Sequence, residues 1–333
     1  MEDSHPTTTT IPSSPTNPPP SQPDKPPPPR SHPSALQKLR FLLLRLLTNS
    51  ARTADRNLIR LSKLLSTPSG IDVLLCTTSY TLTLVHALLS RLLERRLADI
   101  ASEIAEKADG ILLPGETLIA SLPAPTSTKL VAQVVGSSKA LAETIADYRI
   151  FVRLWGVVGL YTWARSTYLS PLPSGSSREE RALRGLTWAA IASCVGFQVL
   201  ENGAYLSSKG ALTSARWTSD VGKARENEWW LWSSRFWAVY VGCELARSGV
   251  TAYYQRQRPI AAVVDGEKED KLRRREQKLE ISLWWKDLAS NVAYAPMTLH
   301  WSMEGGLLSD WGVGACGIVA GGALLADAWR RTE

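Results

Sequence analysis

Between residues 35 and 66 leucines and basic residues recur with the period of an α-helix. With Leu36 at zero and about 100° per residue, Leu39, Leu43, Leu47, Leu58, Leu61 and Leu65 fall within about 60° on one side or about 40° on the other. Lys38, Arg45, Arg52, Arg56, Arg60 and Lys63 fall between about 160° and about 240°, on the opposite face, and Arg40 alone is misplaced. The spacing predicts a basic amphipathic helix roughly 45 Å long. Such a helix suits the headgroup region of an anionic leaflet, its leucines in the acyl boundary and its cations among phosphates. The competing arrangement packs the leucines on a protein core and leaves the basic face in water. Phe41, Leu42 and Leu44 lie off the leucine face, which favours lipid or a partner.

After the turn Thr67-Pro68-Ser69-Gly70, residues 73–90 carry no formal charge, the lower edge of a membrane span, and their Ser and Thr favour burial among helices. Residues 92–108 read as a solvated helix and 109–128 as a loop marked by Gly110, Pro114, Pro123 and Pro125. A further helix leads into Trp155, Tyr161 and Trp163, set among Arg149, Arg153 and Arg165 as at a membrane interface. Residues 185–200 are uncharged and long enough to span or half-bury, and Glu201 and Asn202 in the same run need a partner. Trp-rich residues 229–246 suit the headgroup level.

Residues 258–280 are expected to form a charged helical linker. Residues 305–329 are the clearest span: 311–326 carry no charge, and Trp311, Trp329, Arg330 and Arg331 flank them. Gly314, Gly317 and Gly321 share one face, and Gly317 with Gly321 forms a GxxxG pair suited to close helix packing. The expected fold class is all-α: a helical integral membrane protein with an N-terminal amphipathic helix and a Gly-rich C-terminal transmembrane helix.

Composition sharpens this division. Twelve of the 20 prolines precede residue 35, so residues 1–34 are expected to be a disordered tail ahead of one helical membrane domain, 35–333. Residues 35–66 hold a net charge of +6 out of the whole chain's +7, so the basic excess belongs to the first helix. Hydrophobic residues make up 44% while mean hydropathy is −0.10, which fits a few spans joined by polar loops. The opening residues carry acidic side chains and no apolar run, so a secretory signal is not expected there. Cys76, Cys194, Cys243 and Cys316 are scattered through apolar runs without metal or disulfide spacing, and only His86 and His300 lie beyond the tail.

Gly312, Gly314 and Gly317 formally spell GxGxxG, but no strand precedes them and no P-loop, GxSxG or HExxH accompanies them. Catalysis, a cofactor, a metal and nucleic acid as a partner are not expected.

Four stretches together resemble the peroxin-11 family of peroxisomal membrane proliferation proteins, in a filamentous-fungal form. They are KLLSTPSGIDVLLCTTSYTLTLV (63–85), YRIFVRLWGVVGLYTWA (148–164), QVLENGAYLSSKGAL (198–212) and the Gly-rich terminal span. The resemblance implies peroxisomal membrane elongation or tubulation during proliferation and fission, by insertion of the first helix into the cytosolic leaflet. It also implies self-association, with Gly317 and Gly321 as candidate seam, contact with paralogues, and work with a dynamin-type GTPase and its adaptors. Both termini in the cytosol would fit two spans. The rival functions are a channel for small metabolites, which the Ser and Thr of 73–90 could line, and an adaptor at organelle contacts.

Overall fold

The computed structural model describes residues 35–108, 125–257 and 267–333. The proline-rich tail, most of the 109–128 loop and the first part of the charged linker therefore lie outside the described residues. The chain divides into two units, residues 1–55 and 56–333. The first contains the opening turns of α1 (Ala35–Leu65), whose last ten residues belong to the second.

Among the described residues every regular element is a helix and there is no strand. After α1 come α2 (Pro68–Ala108), α3 (Thr126–Arg153), α4 (Gly156–Leu169), α5 (Arg178–Ser208), α6 (Ala215–Thr218), α7 (Asp220–Gln257), α8 (Glu267–Trp301) and α9 (Asp310–Arg330). Within the second unit α3, α2, α9, α8, α7 and α5 neighbour one another in that cyclic order, and α3 returns to meet α5. Neighbours run antiparallel. Asp72, Ser79 and His86 of α2 meet Arg149, Ala142 and Val135 of α3, and Lys286 and Ser282 of α8 meet Asp327 and Arg330 of α9.

Local chemistry sets the ends of α5. Ser177 accepts from the Glu180 backbone N–H at 3.1 Å while the Glu180 carboxylate accepts from the Ser177 N–H at 2.7 Å, a reciprocal cap for the first turn. At the other end Gly210 takes φ +69°, which only glycine adopts without strain, and the Ala211 N–H closes onto the Leu206 carbonyl.

Among the described residues three helices, α2, α5 and α9, are long and apolar enough to cross a membrane. Only 17%, 22% and 33% of their most apolar stretches are buried within the protein, which is compatible with an apolar surrounding. Three such helices, rather than two, mean that apolar length alone does not select the two-span arrangement with both termini on one side.

The element boundaries differ from the sequence expectations in three places. Residues 73–90 and 92–108 lie in one unbroken helix of 41 residues, α2, because no Gly or Pro interrupts them. Residues 267–280 are the opening turns of α8, a helix of 35 residues, rather than a separate linker. The terminal helix begins at Asp310, after Gly306 turns the chain at φ +62° and the Leu307 and Leu308 N–H groups donate to His300 Nδ1.

Candidate functional site

The basic face of α1 divides into a part held by the C-terminal residues and a part that is exposed. Near its C-terminal end Arg60 donates from Nη2 to the Trp329 carbonyl at 2.7 Å and from Nε to Thr332 Oγ1 at 3.0 Å. Its guanidinium also lies 4.6 Å from the Trp329 ring centroid and 3.2 Å from the Glu333 carboxylate. Lys63 donates to the Thr332 carbonyl at 3.1 Å, and Leu64 beside it is buried at 3% exposure. Arg60 and Lys63, expected among lipid phosphates, thus bind the carbonyls of Trp329 in the last turn of α9 and of Thr332 just past its end. Periodicity groups side chains on a face but does not name what the face meets, and helix C-terminal carbonyls attract cations as phosphates do.

The remaining described positions of the pattern are open. Lys38, Arg45, Arg52 and Arg56 are exposed, and so are Leu39, Leu43, Leu47, Leu58 and Leu65. Leu61 is half-buried, and the Leu36 side chain lies outside the described residues.

The second site is the seam between α2 and α9. A Cβ added at Gly314 would come within 2.8 Å of the Leu84 backbone, one at Gly317 would overlap the Tyr80 ring, and one at Gly321 would lie 2.8 Å from Thr77 Oγ1. All three glycines therefore admit α2 of the same chain to close range. Within one chain, α2 thus fills this face. The sequence displayed a face of small residues without deciding between an internal partner and a second molecule.

The third site joins two stretches that are 45 residues apart in the chain. Helical hydrogen bonding falters at Leu154 and Trp155, whose N–H groups reach back three residues to Phe151 and Val152. The carbonyls of Arg153 and Leu154 accept instead from Gln198 Nε2 at 2.8 Å and Asn202 Nδ2 at 3.2 Å. Gly156 leaves room for this, since a Cβ there would lie 2.5 Å from Gln198 Oε1. Between the two amides, Glu201 accepts from Arg153 Nε at 3.0 Å and Nη2 at 2.8 Å, a side-on ion pair.

An interrupted helix in an apolar surrounding persists only where side chains take over its freed backbone groups, and Gln198 and Asn202 do so. The need of Glu201 and Asn202 for partners was visible in their apolar context. The partners themselves were not, and Gln198 was missed, although QxxEN places three polar groups on adjacent helical positions.

Further pairs brace the same region. Arg149 holds Asp72 at 2.7 Å, and Lys209 holds Asp147 at 2.5 Å. The hydrogen bond to the Asp147 carboxylate keeps the Lys209 ammonium above its ordinary range. Glu244, the other acid in an apolar run, pairs with Arg247 at 3.3 Å, and the His86 Nδ1–H donates to the Val135 carbonyl at 3.0 Å.

The four stretches quoted for the family resemblance therefore meet in pairs. Residues 63–85 pack on the glycines of α9, and 148–164 lock to 198–212. Residues 63–85 and 148–164 are joined in turn by Asp72 and Arg149.

Among curated proteins, the chain is similar to an uncharacterized protein of Schizosaccharomyces pombe, 29% identical over 182 residues, which cover 55% of this chain and 67% of that protein. No family model matches the chain. No solved structure matches it either.

Proposed function

We propose that this chain is a non-catalytic membrane-shaping protein of the peroxin-11 type, acting at the peroxisomal membrane during elongation and fission. The observation that carries the reading is the exposed leucine row of α1, set opposite exposed Lys38, Arg45, Arg52 and Arg56 on a helix whose C-terminal end is tied to α9. An amphipathic helix of this kind expands the leaflet it enters, and the membrane bends toward that leaflet. Tethering matters because an untethered wedge diffuses away, whereas one held by apolar helices stays where the protein accumulates.

The cytosolic leaflet is the entered one in this reading, and paralogues and a dynamin-type GTPase act downstream of the elongation. Self-association concentrates the wedges. In this reading it uses a surface other than the glycine face of α9, against which α2 packs.

The test is reconstitution of the full chain into vesicles containing anionic lipid, imaged by electron microscopy beside a Leu39→Glu, Leu43→Glu, Leu47→Glu variant. Tubules from the parent protein and round vesicles from the variant, at equal protein incorporation, support the reading. Equal tubulation by both removes α1 as the wedge, and absence of deformation by either removes membrane shaping as an intrinsic activity.

A further inference from the structure

Within the second unit α2, α3, α5, α7 and α8 line a half-open cavity of about 560 Å³. This lies within the size range of small-ligand sites, roughly 300–1,000 Å³. Its wall has two chemistries. Phe197, Trp230, Trp237, Tyr294 and Trp301 make a largely aromatic side, in which Trp237 stacks on Trp301 at 5.5 Å and tilts against Tyr294 at 5.4 Å. The other side carries Arg149 and Arg153 with their carboxylates, Asp72 and Glu201.

The two arginines are four residues apart on α3, hence on one helix face and within about 6 Å of each other at the backbone. Each engages its carboxylate through Nε and Nη2 alone. Arg149 also hydrogen-bonds the Tyr80 hydroxyl, Arg153 Nη1 takes no part in the pair with Glu201, and all three residues line the cavity. The carboxylates fix the planes of the guanidiniums and offset their charge while the cavity is unfilled. A ligand oxyanion held between Arg153 Nη1 and the Arg149–Tyr80 pair would then meet preorganised donors. Structural ion pairs alone would not require a void of this volume beside them.

We infer that this cavity binds the anionic headgroup of a single-chain lipid, with the oxyanion between Arg149 and Arg153 and the chain along the aromatic wall. The shared chemistry is an oxyanion on one apolar chain, which a long-chain carboxylate or a monoacyl phosphate supplies. The volume of about 560 Å³ suits one acyl chain rather than two. The inference is independent of membrane shaping, since none of its residues lies on α1.

The experiment uses the full chain in nanodiscs, with empty nanodiscs as the blank, and measures saturable binding of radiolabelled oleate, oleoyl lysophosphatidate and oleyl alcohol. The expected result is one saturable site per chain for oleate, for lysophosphatidate or for both, the preferred one identifying the source, and at least roughly tenfold weaker binding of the alcohol. Two variants separate binding from folding. Ala146→Phe fills the cavity and leaves all four charges in place. The quadruple variant Asp72→Asn, Arg149→Gln, Arg153→Gln, Glu201→Gln removes the charges as neutral pairs.

Loss of the saturable site in whichever variant keeps the parent's helical circular dichroism and thermal midpoint supports the inference. Equal binding of the alcohol and the anions overturns it. So does anion binding that survives in a folded variant, or binding no greater than in empty nanodiscs.

Discussion

The Arg60 guanidinium donates to the Trp329 carbonyl at 2.7 Å and lies over the indole of the same residue, so one side chain binds both the backbone and the ring at the end of α9. Residues 269 positions apart in the chain are joined here, at the point where the first helix enters the second unit. Arg60→Met keeps the apolar stem and removes the donors. It should cost about 2 kcal/mol, the usual scale of a hydrogen bond to a charged group. Amide exchange should accelerate over residues 57–66 and 327–333 together, and unchanged exchange in either segment would show that the tie carries no stability. The exposed Glu333 carboxylate contributes little to it, so Glu333→Gln should leave exchange unchanged.

Arg153 and Glu201 should behave as a unit. Glu201 is 6% exposed, so Arg153→Gln alone leaves a buried carboxylate without its cation and should destabilise the protein by about 3 kcal/mol or more. The double change to Gln at both positions should recover most of that loss. Denaturation of the detergent-solubilised protein measures both, and equal losses in the single and double variants would contradict the pairing.

The glycine seam gives a contrast within one helix. Gly317→Ala forces a methyl group onto the Tyr80 ring and should lower the thermal midpoint, whereas Gly322→Ala meets nothing within 4 Å and should raise it slightly through helix propensity. Crosslinked oligomer populations should follow the folded fraction in both. A selective loss of oligomers in folded Gly317→Ala protein would return this face to the interface between copies.

The open part of the basic face should act through salt-sensitive attraction. Changing Lys38, Arg45, Arg52 and Arg56 to Gln should weaken association of α1 with anionic vesicles by about 4 kcal/mol, at about 1 kcal/mol per cation near the surface. Raising ionic strength should shrink the difference, because the Debye length falls to about 3 Å at 1 M salt. Spin labels or fluorophores on α1 of the reconstituted protein report the depth of insertion. No change in depth on neutralisation would leave the leucines as the sole determinant.

The helical class and the positions of most helices were legible because their determinants are local. The 3.6-residue period, uncharged stretches of spanning length and breakers such as Pro171, Pro173 and Gly175 act within a few residues, and the structure places helices where they fall. The same local reading showed that Glu201 could not stand alone and that Gly314, Gly317 and Gly321 formed one face. It went astray where a local signal had two equally local outcomes. The change from uncharged to charged residues near Arg91 suits a helix leaving an apolar region as well as a new element, and the structure has one continuous helix there.

Pairing was settled only by the tertiary structure. That Arg60 and Lys63 hold the end of α9, that Gly317 receives Tyr80, and that Gln198 and Asn202 capture the carbonyls freed at Leu154 are relations between residues from about 45 to about 270 positions apart. A guanidinium is satisfied equally by a lipid phosphate, a carboxylate or a helix-terminal carbonyl. Its own sequence context therefore specifies the need for a partner, and only the packed chain specifies which partner meets it.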